Sequence, residues 1–77
     1  MSPRLPTLTG RHVVKALEKA GFAVIRVKGS HHFMRHGIDR TRQTVVPVHG
    51  KDDLGRGLLR QIIDDVGMTV DEFYALL

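Results

Sequence analysis

The chain has no cysteine and no tryptophan, and a single tyrosine among its 77 residues. Without cysteine there is no disulfide framework and no thiolate metal site, and nothing points to an oxidising compartment. No apolar run approaches the roughly 18 residues that a membrane span needs. Met1 to Leu8 lacks the apolar stretch of a signal peptide, so a soluble cytoplasmic protein without a membrane partner is expected. The length suits a single domain over residues 1–77. A domain of this size buries only about 60% of its unfolded surface, which argues against a deep pocket for a large cofactor and for a surface site instead. No cofactor and no metal are expected.

Acidic residues are scarce in the first two thirds of the chain. Residues 1–51 hold ten of the twelve cations against Glu18 and Asp39, a net +8, whereas residues 52–77 hold Arg56 and Arg60 against six acids, a net −4. Such asymmetry points to a polyanionic partner for the first part.

Residues 1–8, with Pro3 and Pro6, form an extended lead-in. Thr9 is a good N-cap, with Leu8 and Val13 spaced as a hydrophobic staple. Val13, Val14, Leu17 and Ala20 recur at helical spacing, and Gly21 is placed to stop that helix. Phe22 to Val27, His31 to His36 and Thr44 to Val48 have strand composition, with turns at Lys28–Gly29–Ser30 and from Gly37. Pro47 cannot donate to a ladder, so the third strand is an edge or ends there. Leu58, Leu59, Ile62, Ile63 and Val66 form an amphipathic helix ended by Gly67. Thr69 and Glu72 make a capping box for a short C-terminal helix over 69–77. The Asp52–Asp53 pair marks a helix start. Short connections make the strands an antiparallel meander, and two helices must cover one of its faces. The expected class is α+β, α-β-β-β-α, in the layout of the double-stranded RNA-binding fold.

Five histidines are many for this length, and four of them, His31, His32, His36 and His49, lie in or beside the expected sheet. Histidine suits proton transfer near neutrality. Lys28, Arg26 and Arg35 lie near His31 and His32, and Gly29 and Ser30 offer backbone groups to a phosphate. RNA cleavage needs little more than this. A zinc site from His31, His36 and His49 would lack cysteine or a matched carboxylate. Neighbouring strand residues face opposite sides. Phe33 is the larger apolar group, so the expected register packs it under the helices and leaves His32 and Met34 facing the open side. With Met34 in the core instead, His32 turns inward, which weakens the catalytic reading.

Thr9–Gly10, Leu17–Glu18–Lys19–Ala20–Gly21–Phe22, Lys28–Gly29–Ser30–His31–His32, Val46–Pro47–Val48–His49, Leu59–Arg60–Gln61–Ile62, Gly67–Met68–Thr69 and Glu72–Phe73 together resemble the HicA, or YcfA-like, mRNA-interferase toxins. The resemblance spans about residues 5–73. It implies a double-stranded RNA-binding-like fold, ribonuclease activity on mRNA, one catalytic histidine, and a HicB antitoxin that neutralises the toxin. The catalytic histidine is that of Gly-Ser-x-His, here His32, with His31 in the variable position. Arg26, Lys28, Gly29, Ser30, His31 and Arg35 are then the expected RNA contacts. The general acid stays open between His31, His36, Lys28 and water. The competing readings are a non-catalytic RNA-binding module on the same fold, or a basic surface that docks an acidic protein.

Overall fold

The computed structural model describes residues 7–77; most of the expected lead-in lies outside the described residues. In chain order the elements are α1 (Gly10–Lys19), β1 (Phe22–Lys28), β2 (His31–His36), β3 (Gln43–Pro47), α2 (Arg56–Asp65) and α3 (Val70–Tyr74). The strands form one antiparallel sheet in the order β1-β2-β3. The fold is therefore α+β, with the expected α-β-β-β-α layout.

Each element ends where local chemistry stops it. The Thr9 hydroxyl caps α1 by accepting the His12 N–H at 3.3 Å. Gly21 takes φ 93 just past that helix, and Gly67 takes φ 71 just past α2. Both are left-handed positions that favour glycine. Thr69 and Glu72 form the expected capping box of α3. The Thr69 backbone N–H, donated to the Glu72 carboxylate at 2.8 Å, and then the Thr69 hydroxyl, hold the Glu72 carboxyl below its usual range. This cap is complete at neutral pH and is lost as pH falls through the lowered folded value. β3 is an edge strand that ends at Pro47, as a residue without an N–H requires.

Three local readings are corrected. α2 begins at Arg56 behind Gly55, with no acid in its first turn, so Asp52–Asp53 does not start it. Asp53 instead bridges Thr9. Leu58 lies on the outer side of α2 and is exposed. The C-terminal helix is one short turn and a half, Val70–Tyr74, rather than a run to Leu77.

The core comprises Val13, Ala16 and Leu17 from α1, Leu59, Ile62 and Ile63 from α2, Phe73 from α3, and Phe22, Met34 and Val46 from the sheet. This decides the facing of β2 against the expectation. Met34 is the core residue, 1% exposed, while Phe33 is only half-buried. Alternation then puts His32, Met34 and His36 on the helix side and His31, Phe33 and Arg35 on the open side. The physical reason is the company each residue keeps. Turning Phe33 inward would turn Arg35 inward too, and an unpaired buried guanidinium costs far more than the smaller apolar gain. Phe33 instead lies under the Arg26 guanidinium, 5.5 Å from its ring centre, on the open face.

The assignment carries a stability prediction. Met34→Ala is expected to lose about 2–5 kcal/mol, the usual range for a fully buried Met. Phe33→Ala is expected to lose clearly less, because part of that ring stays in water. Chemical denaturation of the two variants checks the ordering, and a larger loss at Phe33 would reverse the register.

Candidate active site

The β1–β2 connection is two residues, Gly29 and Ser30, between paired Lys28 and His31. Gly29 takes φ 60 while Ser30 stays on the negative side, the pattern of a type II′ hairpin turn. The Ser30 carbonyl accepts the Val48 N–H at 2.7 Å, which ties the turn to the segment leaving β3. The same carbonyl lies 3.2 Å from His32 Nδ1. A carbonyl can only accept, so the proton of neutral His32 sits on Nδ1 and the lone pair on Nε2. Nε2 makes no hydrogen bond among the described residues. The Ser30 hydroxyl pairs with His49 Nε2 at 3.1 Å. One serine thus anchors two imidazoles, one through its carbonyl and one through its hydroxyl.

His32 points to the helix side of the sheet yet is only half-buried. Its cross-strand neighbours explain this. On β3 it pairs with fully buried Val46, but on β1 it pairs with Val27, which is 54% exposed. At this end of the sheet the helical layer covers the β3 side, where α1 meets Pro47, and leaves the β1 side open. His32 therefore sits at the rim, with core on one side and solvent on the other.

The rim is braced by α1. Gly10, its first residue, packs on the Pro47 carbonyl so closely that a Cβ there would overlap it. The chain then continues through Val48 to His49, so α1, the end of β3 and the Ser30 turn meet at one point. Beside it, Arg11, His12 and Lys51 line a shallow depression with Thr9 and Gly50.

The other expected site residues divide between places. Gly29 and Ser30 form the rim. Arg26, Lys28, His31 and Arg35 lie on the open face, the opposite side of the sheet from His32. There Arg35 Nε donates to the Gln43 side-chain oxygen at 3.3 Å. His36 is on the helix side but at the far end of β2, four residues or about 13 Å from His32. Its Nδ1 accepts the N–H groups of Ile38 and Asp39 at 3.2 and 3.0 Å, and its ring stands edge-on to Phe22. It closes the β2–β3 turn. In that turn the Thr41 hydroxyl, then the Thr41 N–H, hold the Asp39 carboxyl below its usual range. His31, His36 and His49 are thus spread over both faces and both ends of the sheet.

His49 is the residue that reading the sequence left without a role. Its signals were its place beside the expected sheet and in Val46–Pro47–Val48–His49, seventeen positions after His32. The expected meander brings the end of the third strand beside the start of the second, but it does not say that the His49 side chain turns to Ser30. Arg11, His12 and Lys51 are missed for the same reason.

A cluster of two imidazoles and a hydroxyl at a basic rim can move protons next to a phosphate. The family model described as HicA toxin of bacterial toxin-antitoxin matches residues 10–68, well over half of the chain. The chain belongs to the HicA toxin family. No curated protein matches it. Ser30, His32 and His49 all fall within the matched span. As a HicA toxin it is the toxic half of a toxin–antitoxin system, and a cognate antitoxin is its partner. Among the described residues, no helix is long and apolar enough to cross a membrane.

Proposed function

We propose that this HicA toxin is a single-domain cytoplasmic endoribonuclease that cuts mRNA through His32 and is neutralised by a HicB-like antitoxin. The observation that carries the reading is the bond between His32 Nδ1 and the Ser30 carbonyl. With that carbonyl as acceptor, the proton of neutral His32 sits on Nδ1, and Nε2 is left without a partner among the described residues. In the proposed reaction, Nε2 takes the proton of a ribose 2′-hydroxyl, and the 2′-oxygen attacks the adjacent phosphorus. The bond from phosphorus to the 5′-oxygen breaks, giving a 2′,3′-cyclic phosphate and a 5′-hydroxyl. Proton transfer by one positioned group supplies about 10²–10⁴-fold.

The RNA lies over the Gly29–Ser30 turn. On one side of it His32 meets the reacting phosphate. On the other, Arg26, Lys28, His31 and Arg35 hold the neighbouring backbone. No step needs a metal ion, so cleavage is expected to persist in a chelator. Purified chain incubated with mRNA in EDTA tests this reading. Binding without cleavage would favour the non-catalytic RNA-binding module.

Binding is expected to weaken steeply with salt, because the cations of the open face displace counterions from phosphates. For single strands each phosphate contact contributes roughly 0.7 to the log–log slope. Neutralising Arg26, Lys28 and Arg35 one at a time, with binding measured across a salt series, should lower the slope stepwise. An unchanged slope would remove the open face from the RNA path. The same cations suit acidic groups of the antitoxin. Because His32 lies on the other face, a neutralising partner must reach over the rim or block the path of the RNA to it.

A further inference from the structure

We infer that His49 is the second proton-transfer group of this site, the general acid that protonates the leaving 5′-oxygen. The inference rests on the ribonuclease reading above and completes it. A 5′-alkoxide is a poor leaving group, so breaking the phosphorus–oxygen bond calls for a proton donor near the base. The open candidates were His31, His36, Lys28 and water. His31 and Lys28 are paired with each other on the opposite face of the sheet from His32. His36 is at the far end of β2, with its Nδ1 occupied by two backbone N–H groups.

His49 is held at the same turn as His32. Its Nε2 lies 3.1 Å from Ser30 Oγ, while His32 Nδ1 lies 3.2 Å from the carbonyl of the same serine. The two rings are thus anchored on one residue. Val48, directly before His49, is fixed by its N–H bond to that carbonyl, and Pro47 is fixed by its contact with Gly10. His49 is exposed, so a substrate can reach it. With Nε2–H donated to Ser30 Oγ, the imidazolium presents Nδ1–H outward, where it makes no hydrogen bond among the described residues.

The balance closes. The 2′-hydroxyl proton goes to His32 Nε2 as the 2′-oxygen bonds to phosphorus. The 5′-oxygen leaves with its electron pair and takes the Nδ1 proton of His49. His32 ends as imidazolium and His49 as neutral imidazole, and exchange with water resets both.

The test uses two oligoribonucleotides that carry a cleavage site mapped with the wild-type toxin. One is ordinary RNA. The other has sulfur in place of the 5′-bridging oxygen, so that its leaving thiolate needs no proton. His49→Ala is expected to slow cleavage of the ordinary RNA by about 10²–10⁴-fold and to cut the sulfur RNA at close to the wild-type rate. His32→Ala should be slow on both. An equal loss on both substrates would make His49 a positioning residue and overturn the inference, as would no loss on either. His49→Gln, read the same way, covers the case of a poorly folded Ala variant. If the wild-type toxin cut neither RNA, the ribonuclease reading itself would fall, and if His32→Ala cut both at full rate, His32 would not be the base; both outcomes are distinct from failure at His49 alone.

Discussion

Replacing His32 with Ala is expected to abolish RNA cleavage while the protein stays folded. The side chain supplies the free Nε2 at the rim, and no other imidazole is placed to take over that role. The loss is expected to be at least about 10²–10⁴-fold, the range for one proton-transfer group. The fold should survive for a structural reason. The Ser30 carbonyl keeps the Val48 N–H at 2.7 Å when the imidazole goes, so no buried acceptor is orphaned. The vacated place opens to solvent beside exposed Val27. Cleavage assays paired with circular dichroism would check both halves. His31→Ala is the internal comparison. It alters the opposite face of the sheet and should change binding more than the chemical step. A well-folded His32→Ala protein that cleaves at the wild-type rate would falsify the assignment.

Gly10→Ala is expected to destabilise the protein, against what helix propensity alone dictates. In an open helix position this change gains about 0.5–1 kcal/mol. At Gly10 a Cβ would overlap the Pro47 carbonyl and stand 3.0 Å from the Pro47 carbonyl carbon and 3.1 Å from Val48 Cα. These are backbone atoms at the end of β3, and they cannot rotate aside. α1 must lift, and the penalty is on the order of 1–3 kcal/mol or more, as for other overpacked sites. In a domain of this size each kcal/mol moves the melting temperature by about 4–8 °C. Gly57→Ala is the control. It lies in α2 with open space around its Cβ position and should be neutral or stabilising. Because Pro47 leads directly to His49, Gly10→Ala should also reduce cleavage in the fraction that remains folded. If it melted as high as Gly57→Ala, the close approach of α1 to β3 would be wrong.

Most of the scaffold was legible because its signals are local. Thr9, Gly21, Gly67 and the Thr69–Glu72 pair act through neighbours within a few residues, so their types nearly determine the geometry. Pro47 ends β3 for the same kind of reason. The facing of β2 was harder, because it depends on which whole set of alternating residues is cheaper to bury. Comparing Phe33 with Met34 by size alone gave the wrong face. Comparing the set His31–Phe33–Arg35 with His32–Met34–His36 points the right way, since Arg35 cannot give up its charge. β1 adds a further complication, an irregularity in its register between Val24 and Arg26. That extra residue changes which β1 side chains share a face, and no turn residue announces it. The site was half legible. Gly29, Ser30 and His32 stand together in the chain, and the meander brings the end of β3 near them, but the approach of His49 to Ser30 also depends on the packing of α1 on Pro47, which a single sequence does not display.

The ends of the RNA fragments test the central claim most directly. Purified, folded toxin, free of antitoxin, should leave a 2′,3′-cyclic phosphate on one fragment and a 5′-hydroxyl on the other, since the proposed nucleophile is a 2′-oxygen deprotonated by His32. Fragments carrying a 3′-hydroxyl and a 5′-phosphate, or RNA left intact by the folded toxin, would contradict the account.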